Sequence, residues 1–122
     1  MRPHRKLLLW NESVALVQLL YTLCKKLPSE EKYALTSQLK RAATSVPLNI
    51  AEGAARNTKK EFIHYLYIAE GSLSEIDTIL VICINLEYLV QPDINEIENR
   101  MEKVSALIHG LIRKLKRDLA PG

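Results

Sequence analysis

Glu61-Phe62-Ile63-His64 sets a carboxylate and an imidazole one helical turn apart, the spacing with which helical bundles hold di-iron centres. Such a centre needs a second Glu-x-x-His pair and two further carboxylates turned inward. The other histidine within a helical pattern, His109, has Ala106 three residues before it, so no second pair exists. His4, His64 and His109 fall in separate segments. Ser37, Ser45, Ser72, Ser74 and Ser105 lie within helical patterns, with no glycine-flanked elbow and no Gly-rich phosphate loop around them. Cys24 and Cys83 sit among apolar residues without C-x-x-C spacing and read as buried thiols in a reducing cytoplasm. No catalytic residue, metal ligand or cofactor site is expected, and the chain reads as a non-enzyme.

The chemistry left is that of charge. Seventeen Lys and Arg against fourteen Asp and Glu give a net charge of only +3 over 122 residues. Whether those charges gather anywhere depends on the elements that carry them.

Low glycine and proline counts, four and five, favour long helices over a β-fold. One domain is expected at this length. The first helix is predicted from Leu8 to Leu27, ended by Pro28. It carries two apolar stripes, one through Leu9, Ser13, Leu16, Leu20, Leu23 and Leu27, the other through Trp10, Val14, Val17, Tyr21 and Cys24. Two stripes exceed what one bundle core needs and suggest either deep burial or a second surface contacting another subunit.

The second helix is predicted to start at Ser29, an N-cap with Glu30 and Glu31 in its first turn. Pro47 lies inside its apolar spacing (Leu35, Leu39, Ala42, Val46, Ile50) and is expected to bend it near Ala43 to Val46. Gly53 is expected to end it in a left-handed position. Thr58 and Glu61 then read as a capping box opening a third helix from Lys59 to Leu89. This helix too has two stripes: Phe62, Leu66, Ala69, Leu73, Ile76, Leu80, Cys83 and Val90, against Tyr65, Ile68, Ile79, Ile82, Leu86 and Leu89. Asp93 and Glu96 are expected to cap a fourth helix, with one seam through Ile94, Ile97, Met101, Val104, Ile108, Leu111 and Leu115.

Short connections force an up-down-up-down order, an all-α four-helix bundle. That order gathers Arg2, Arg5, Lys6, Arg56, Lys59, Lys60, Arg113, Lys114, Lys116 and Arg117 at one end, against Glu52, Glu61 and Asp118. The other end collects Glu87, Asp93, Glu96, Glu98 and Glu102. Arg5, Lys6, Arg56, Lys59, Lys60, Arg113, Lys114, Lys116 and Arg117 are therefore the candidate nucleic-acid-binding residues, through phosphate contacts. The plainer reading of Arg113 to Arg117 is a cationic helix C-terminus that complements the macrodipole. No helix-turn-helix or RNA-recognition signature suggests reading of base sequence. Asn49, Glu52 and Arg56 share a helix face and read as a polar network anchoring the bend and turn, with a ligand contact as the alternative.

The run Leu35-Thr36-Ser37-Gln38-Leu39-Lys40-Arg41-Ala42-Ala43, then Ser45-Val46-Pro47 and Asn49-Ile50-Ala51-Glu52-Gly53, then Lys60-Glu61-Phe62 and Gly71-Ser72-Leu73 with Glu75, carries a resemblance. Over Leu7 to Leu115 the chain resembles the four-helix-bundle proteins encoded in 23S ribosomal RNA intervening sequences. The resemblance implies a bundle that assembles as a homopentameric ring. It departs from the family pattern at Leu48 and Glu70. More remotely, the chain is similar to the accessory variability protein of diversity-generating retroelements, a basic pentamer that partners a reverse transcriptase and nucleic acid.

The charged start Met1 to Lys6 is followed by only four apolar residues and no cleavage site, so no targeting segment is expected. No run is long enough to span a bilayer, which makes the expected protein soluble and cytoplasmic. The reading is a homopentameric accessory protein that binds RNA or DNA, with a retroelement reverse transcriptase as the implied partner. Its rival is an oligomeric scaffold without nucleic acid.

Overall fold

The apolar seams become four helices in the computed structural model, which describes residues 1–119. They are α1 (Leu8–Cys24), α2 (Leu35–Ala54), α3 (Lys59–Asn85) and α4 (Gln91–Leu119), with 3-10 turns at Pro3–Lys6 and Ser29–Glu31. There is no strand among the described residues. α1 packs on α2 and α4, and α3 packs on the same two, so the helices form a square whose diagonal pairs stay apart. Leu16, Leu20, Leu39, Ile50, Leu66, Ile76, Leu80 and Ile108 fill its centre. Every buried side-chain polar atom among the described residues has a hydrogen-bond partner.

α1 stops at Cys24, three residues short of the expectation, although Leu27 is still buried. α2 starts at Leu35 rather than at Ser29. Ser29–Glu31 forms only a 3-10 turn, and Ala34 takes a non-helical conformation ahead of Leu35. Glu31 explains the delay: one carboxylate oxygen accepts the Leu35 N–H at 3.4 Å and the other accepts the Tyr88 hydroxyl at 2.9 Å. A cap shared with the α3–α4 connection has no signature in local sequence.

The second helix passes Pro47 without stopping, as the apolar spacing requires. Thr44 donates back to the Lys40 and Arg41 carbonyls, four and three residues before it, a pattern that bends helices. Gly53, however, does not end α2. The helix runs on to Ala54, and no glycine among the described residues has positive φ. Gly53 is buried where α2 crosses the start of α3, and it serves that crossing by having no side chain.

α3 opens where expected, with Thr58 Oγ1 accepting the Glu61 N–H at 3.1 Å, but the Glu61 carboxylate takes the Thr58 hydroxyl at 3.2 Å and the capping box is half made. It closes at Asn85, four residues before the expected end. Glu87 sits at φ 64°, Tyr88 N–H returns to the Cys83 carbonyl at 2.9 Å, and Glu87 N–H to that of Ile84 at 2.9 Å. This is a Schellman closure with glutamate in the place glycine usually fills. α4 begins one turn before the expected Asp93–Glu96 cap, because Asp93 instead accepts the Val90 N–H at 2.9 Å. Its buried seam passes through Ile112 rather than Leu111.

The second apolar stripes are only partly covered. In α1, Trp10, Val14 and Val17 are half-buried and Tyr21 is exposed, while Cys24 is buried. In α3 and the residues just after it, Ile68, Ile82 and Leu86 are exposed, whereas Ile79 and Leu89 join the core. Leu48 on α2 is 65% exposed and borders an apolar groove with Trp10, Val14, Val17 and Pro47.

Candidate nucleic-acid interface

Antiparallel packing of α3 on α4 sets the register of the basic end. Ser105 donates to Glu70 at 3.0 Å in the middle, and Lys59 approaches Asp118 at 3.9 Å at the tip. Lys59 and Lys60 at the start of α3 therefore share one end of the bundle with Arg113, Lys114, Lys116 and Arg117 at the end of α4. Arg56 joins them from the α2–α3 turn. All seven side chains are exposed. Lys60, Arg113, Lys114 and Arg117 have no acidic partner among the described residues, and Lys116 donates to the Tyr67 hydroxyl at 2.8 Å.

Arg5 and Lys6 stand apart from that group. They ride on the Pro3–Lys6 turn, which packs on α1 and α2 and not on α3 or α4. α1 itself begins level with the middle of α4, since Glu12 pairs with Arg100 and Lys103 there. The common end expected from topology is thus one cationic tip plus a separate basic turn on the α1–α2 side.

Asn49, Glu52 and Arg56 do not make one network. Asn49 Nδ2 donates to the Ser45 carbonyl at 2.8 Å and to Ser45 Oγ at 2.9 Å. Ser45 and Ser72 hydroxyls bond across the α2–α3 interface at 2.8 Å, and Ser72 donates to the Ile68 carbonyl at 3.3 Å. One directed chain of hydroxyls therefore runs from α2 into α3. Arg56 belongs elsewhere: its guanidinium donates to Glu52 and, at 2.7 Å, to the Tyr65 hydroxyl. Tyr65, and after it Glu52, raises the Arg56 pKa further above its already high value.

The aromatics are what sequence reasoning missed. Tyr65 lies beside Arg56, with the guanidinium 5.1 Å from its ring. Tyr67 lies beside Lys116, with the ammonium 5.4 Å from its ring. His64 meets the Tyr65 ring edge-on at 5.5 Å. Arg56 and Lys116 are nine and 49 residues from their tyrosines, so only the alternation of rings with bases in the run 59–67 could have hinted at the pairs.

Glu61, half of the metal-like spacing, takes the Thr58 hydroxyl at 3.2 Å. No group of three or more His, Cys, Asp or Glu that could hold a metal occurs among the described residues. Burial raises the pKa of both Cys24 and Cys83, which disfavours the reactive thiolate. No helix among the described residues is long and apolar enough to cross a membrane.

A square four-helix bundle with a cationic tip and exposed apolar stripes defines the class of protein. Residues 5–110 match the family described as 23S rRNA-intervening sequence protein, and the chain belongs to that family. A solved structure of similar fold is a protein of the S23 ribosomal protein family from Bacteroides thetaiotaomicron. It matches with a TM-score of 0.79 and 25% identity over 86% of this chain and 95% of that one. No curated protein matches the sequence.

Proposed function

We propose that the protein works without catalysis, as an accessory protein that binds nucleic acid through the cationic tip of its bundle. One observation carries the reading: Lys60, Arg113, Lys114 and Arg117 stand exposed together with no acidic partner among the described residues. Cations so placed bind phosphates by releasing condensed counterions, with little regard to base sequence. Arg56, Lys59 and Lys116 strengthen the same field, and Arg5 and Lys6 extend it from the α1–α2 side. The family's description, which refers to ribosomal RNA, agrees with such a partner.

In this proposal the working unit is a homopentameric ring, and the protein partner implied by the remoter resemblance is a retroelement reverse transcriptase. Apolar surface left outside the core supports assembly: the groove at Trp10, Val17 and Leu48, and exposed Ile82 and Leu86 at the far end of α3, beyond the basic tip. Two different patches on one chain make head-to-tail contacts, which close into rings when the rotation allows. The same patches favour the second reading, an oligomeric scaffold without nucleic acid.

Mobility shift separates the two. Lys60→Glu with Arg113→Glu, Lys114→Glu and Arg117→Glu should abolish retention of mixed-sequence RNA and DNA while helicity and oligomer mass stay unchanged. Lys25→Glu, an exposed site at the opposite end of α1, is the control and should bind as wild type does. Wild-type protein that retains neither nucleic acid at low salt overturns the binding reading and leaves the scaffold. Light scattering should give a mass near five times 13.9 kDa, and a monomer would overturn the ring.

A further inference from the structure

Lys60, His64, Tyr67 and Gly71 follow one another at i, i+4, i+7 and i+11 on α3, and all four are exposed. They make one outward line along the first three turns of the helix, about 16 Å long at 1.5 Å per residue. Arg56 with Tyr65 flanks the line on the α2 side, and Lys116 with Tyr67 on the α4 side. At Gly71 even an added Cβ would meet nothing within 4 Å, so the line ends on open backbone.

Such an arrangement suits one form of nucleic acid better than another. Duplex presents phosphates and groove edges, and keeps its base faces stacked inside. A single strand offers phosphates and free π-faces together, and proteins hold it by pairing cations with aromatic platforms. Tyr67 is 49% exposed although its hydroxyl accepts from Lys116 at 2.8 Å, so the side chain is tethered at its tip and still reaches solvent. His64 adds a second ring one turn earlier. Of the acidic neighbours, Glu52 pairs with Arg56 and Asp118 with Lys59 at 3.9 Å, while the Glu61 carboxylate is turned back onto the Thr58 hydroxyl.

We infer that the outward face of α3 from Lys60 to Gly71 is a stacking platform for single-stranded nucleic acid, with Tyr67 and His64 taking bases and the cations beside them taking phosphates. The inference rests on the phosphate-binding reading of the tip and adds the form of its ligand.

Fluorescence anisotropy on the full chain tests it, with a labelled oligouridylate, a labelled oligothymidylate and a mixed-sequence duplex of equal length. At least one single strand should bind about tenfold more tightly than the duplex. His64→Ala with Tyr67→Ala should remove about tenfold of that affinity, within the range measured for loss of base stacking, and leave duplex binding unchanged. Tyr67→Phe keeps the ring while freeing Lys116, and should bind as wild type does. Equal or tighter binding of duplex, or alanine variants that bind single strands normally, would overturn the platform and leave the phosphate reading intact. Absence of binding to all three probes would overturn both. Both variants sit on an exposed face, and unchanged circular dichroism verifies that they are folded.

Discussion

Gly53 of α2 lies so close to Phe62 of α3 that a Cβ at position 53 would stand 2.8 Å from Phe62 Cδ1. It would also stand 2.9 Å from Tyr65 Cβ and 3.3 Å from the Phe62 carbonyl oxygen. Gly53→Ala should therefore destabilise the protein by about 1–3 kcal/mol, the cost of overpacking outweighing the helix preference of alanine. Gly53→Val should be worse. Urea unfolding checks this, and an alanine variant as stable as wild type would mean that the two helices do not approach this closely.

Glu87 is the converse case. Its φ of 64° is one that side chains with a Cβ adopt at a cost and glycine adopts freely. Glu87→Gly should raise stability by about 0.5–1 kcal/mol, seen as a higher melting temperature, while Glu87→Val should lower it. A glycine variant less stable than wild type would contradict the left-handed closure of α3.

Between them these two residues explain what the sequence did and did not disclose. Apolar spacing revealed four helices, their order and most of the core, because burial in a bundle imprints a period on every helix. Helix ends were less legible. A glycine suggests a stop, yet Gly53 serves a crossing, and the left-handed stop falls at a glutamate. The late start of α2 depends on Glu31 meeting Tyr88, 57 residues away. The basic residues of the tip were legible once the topology was, but their tyrosine partners were not, since those pairs exist only through packing.

Asn49 offers a test of the hydroxyl chain between α2 and α3. Its amide donates to the Ser45 carbonyl at 2.8 Å, where a carboxylate would set oxygen against oxygen. Asn49→Ala should cost about 1 kcal/mol of stability, and Asn49→Asp about 1–2 kcal/mol more. Chemical denaturation of both variants checks the order, and an aspartate variant milder than alanine would contradict it.

Acid should weaken the α1–α4 contact. Hydrogen bonds from Lys103 and then Arg100 hold the Glu12 pKa below its usual 4.5, and Lys26 lowers that of Asp93 below 3.8. A carboxylate depressed in the folded state contributes stability that is complete above its unfolded pKa and is lost as pH falls through the folded one. Stability should hold from neutrality down to about pH 5 and then decline. Glu12→Gln should be less stable at pH 7 and show a shallower decline below pH 4.5. Wild-type and variant curves that run parallel through that range would remove Glu12 from the acid response.

The salt dependence of binding tests the cationic tip most directly. Affinity for a single-stranded oligonucleotide, plotted as log K against log salt concentration, should fall on a line whose slope grows by about 0.7 in magnitude for each phosphate contacted. At least three contacts are expected from Lys60, Arg113, Lys114, Lys116 and Arg117, hence a slope of about −2 or steeper. Lys60→Glu with Arg113→Glu should flatten the line. Binding that does not change with salt, or wild-type protein that binds nothing at low salt, would contradict the claim that this end of the bundle holds nucleic acid.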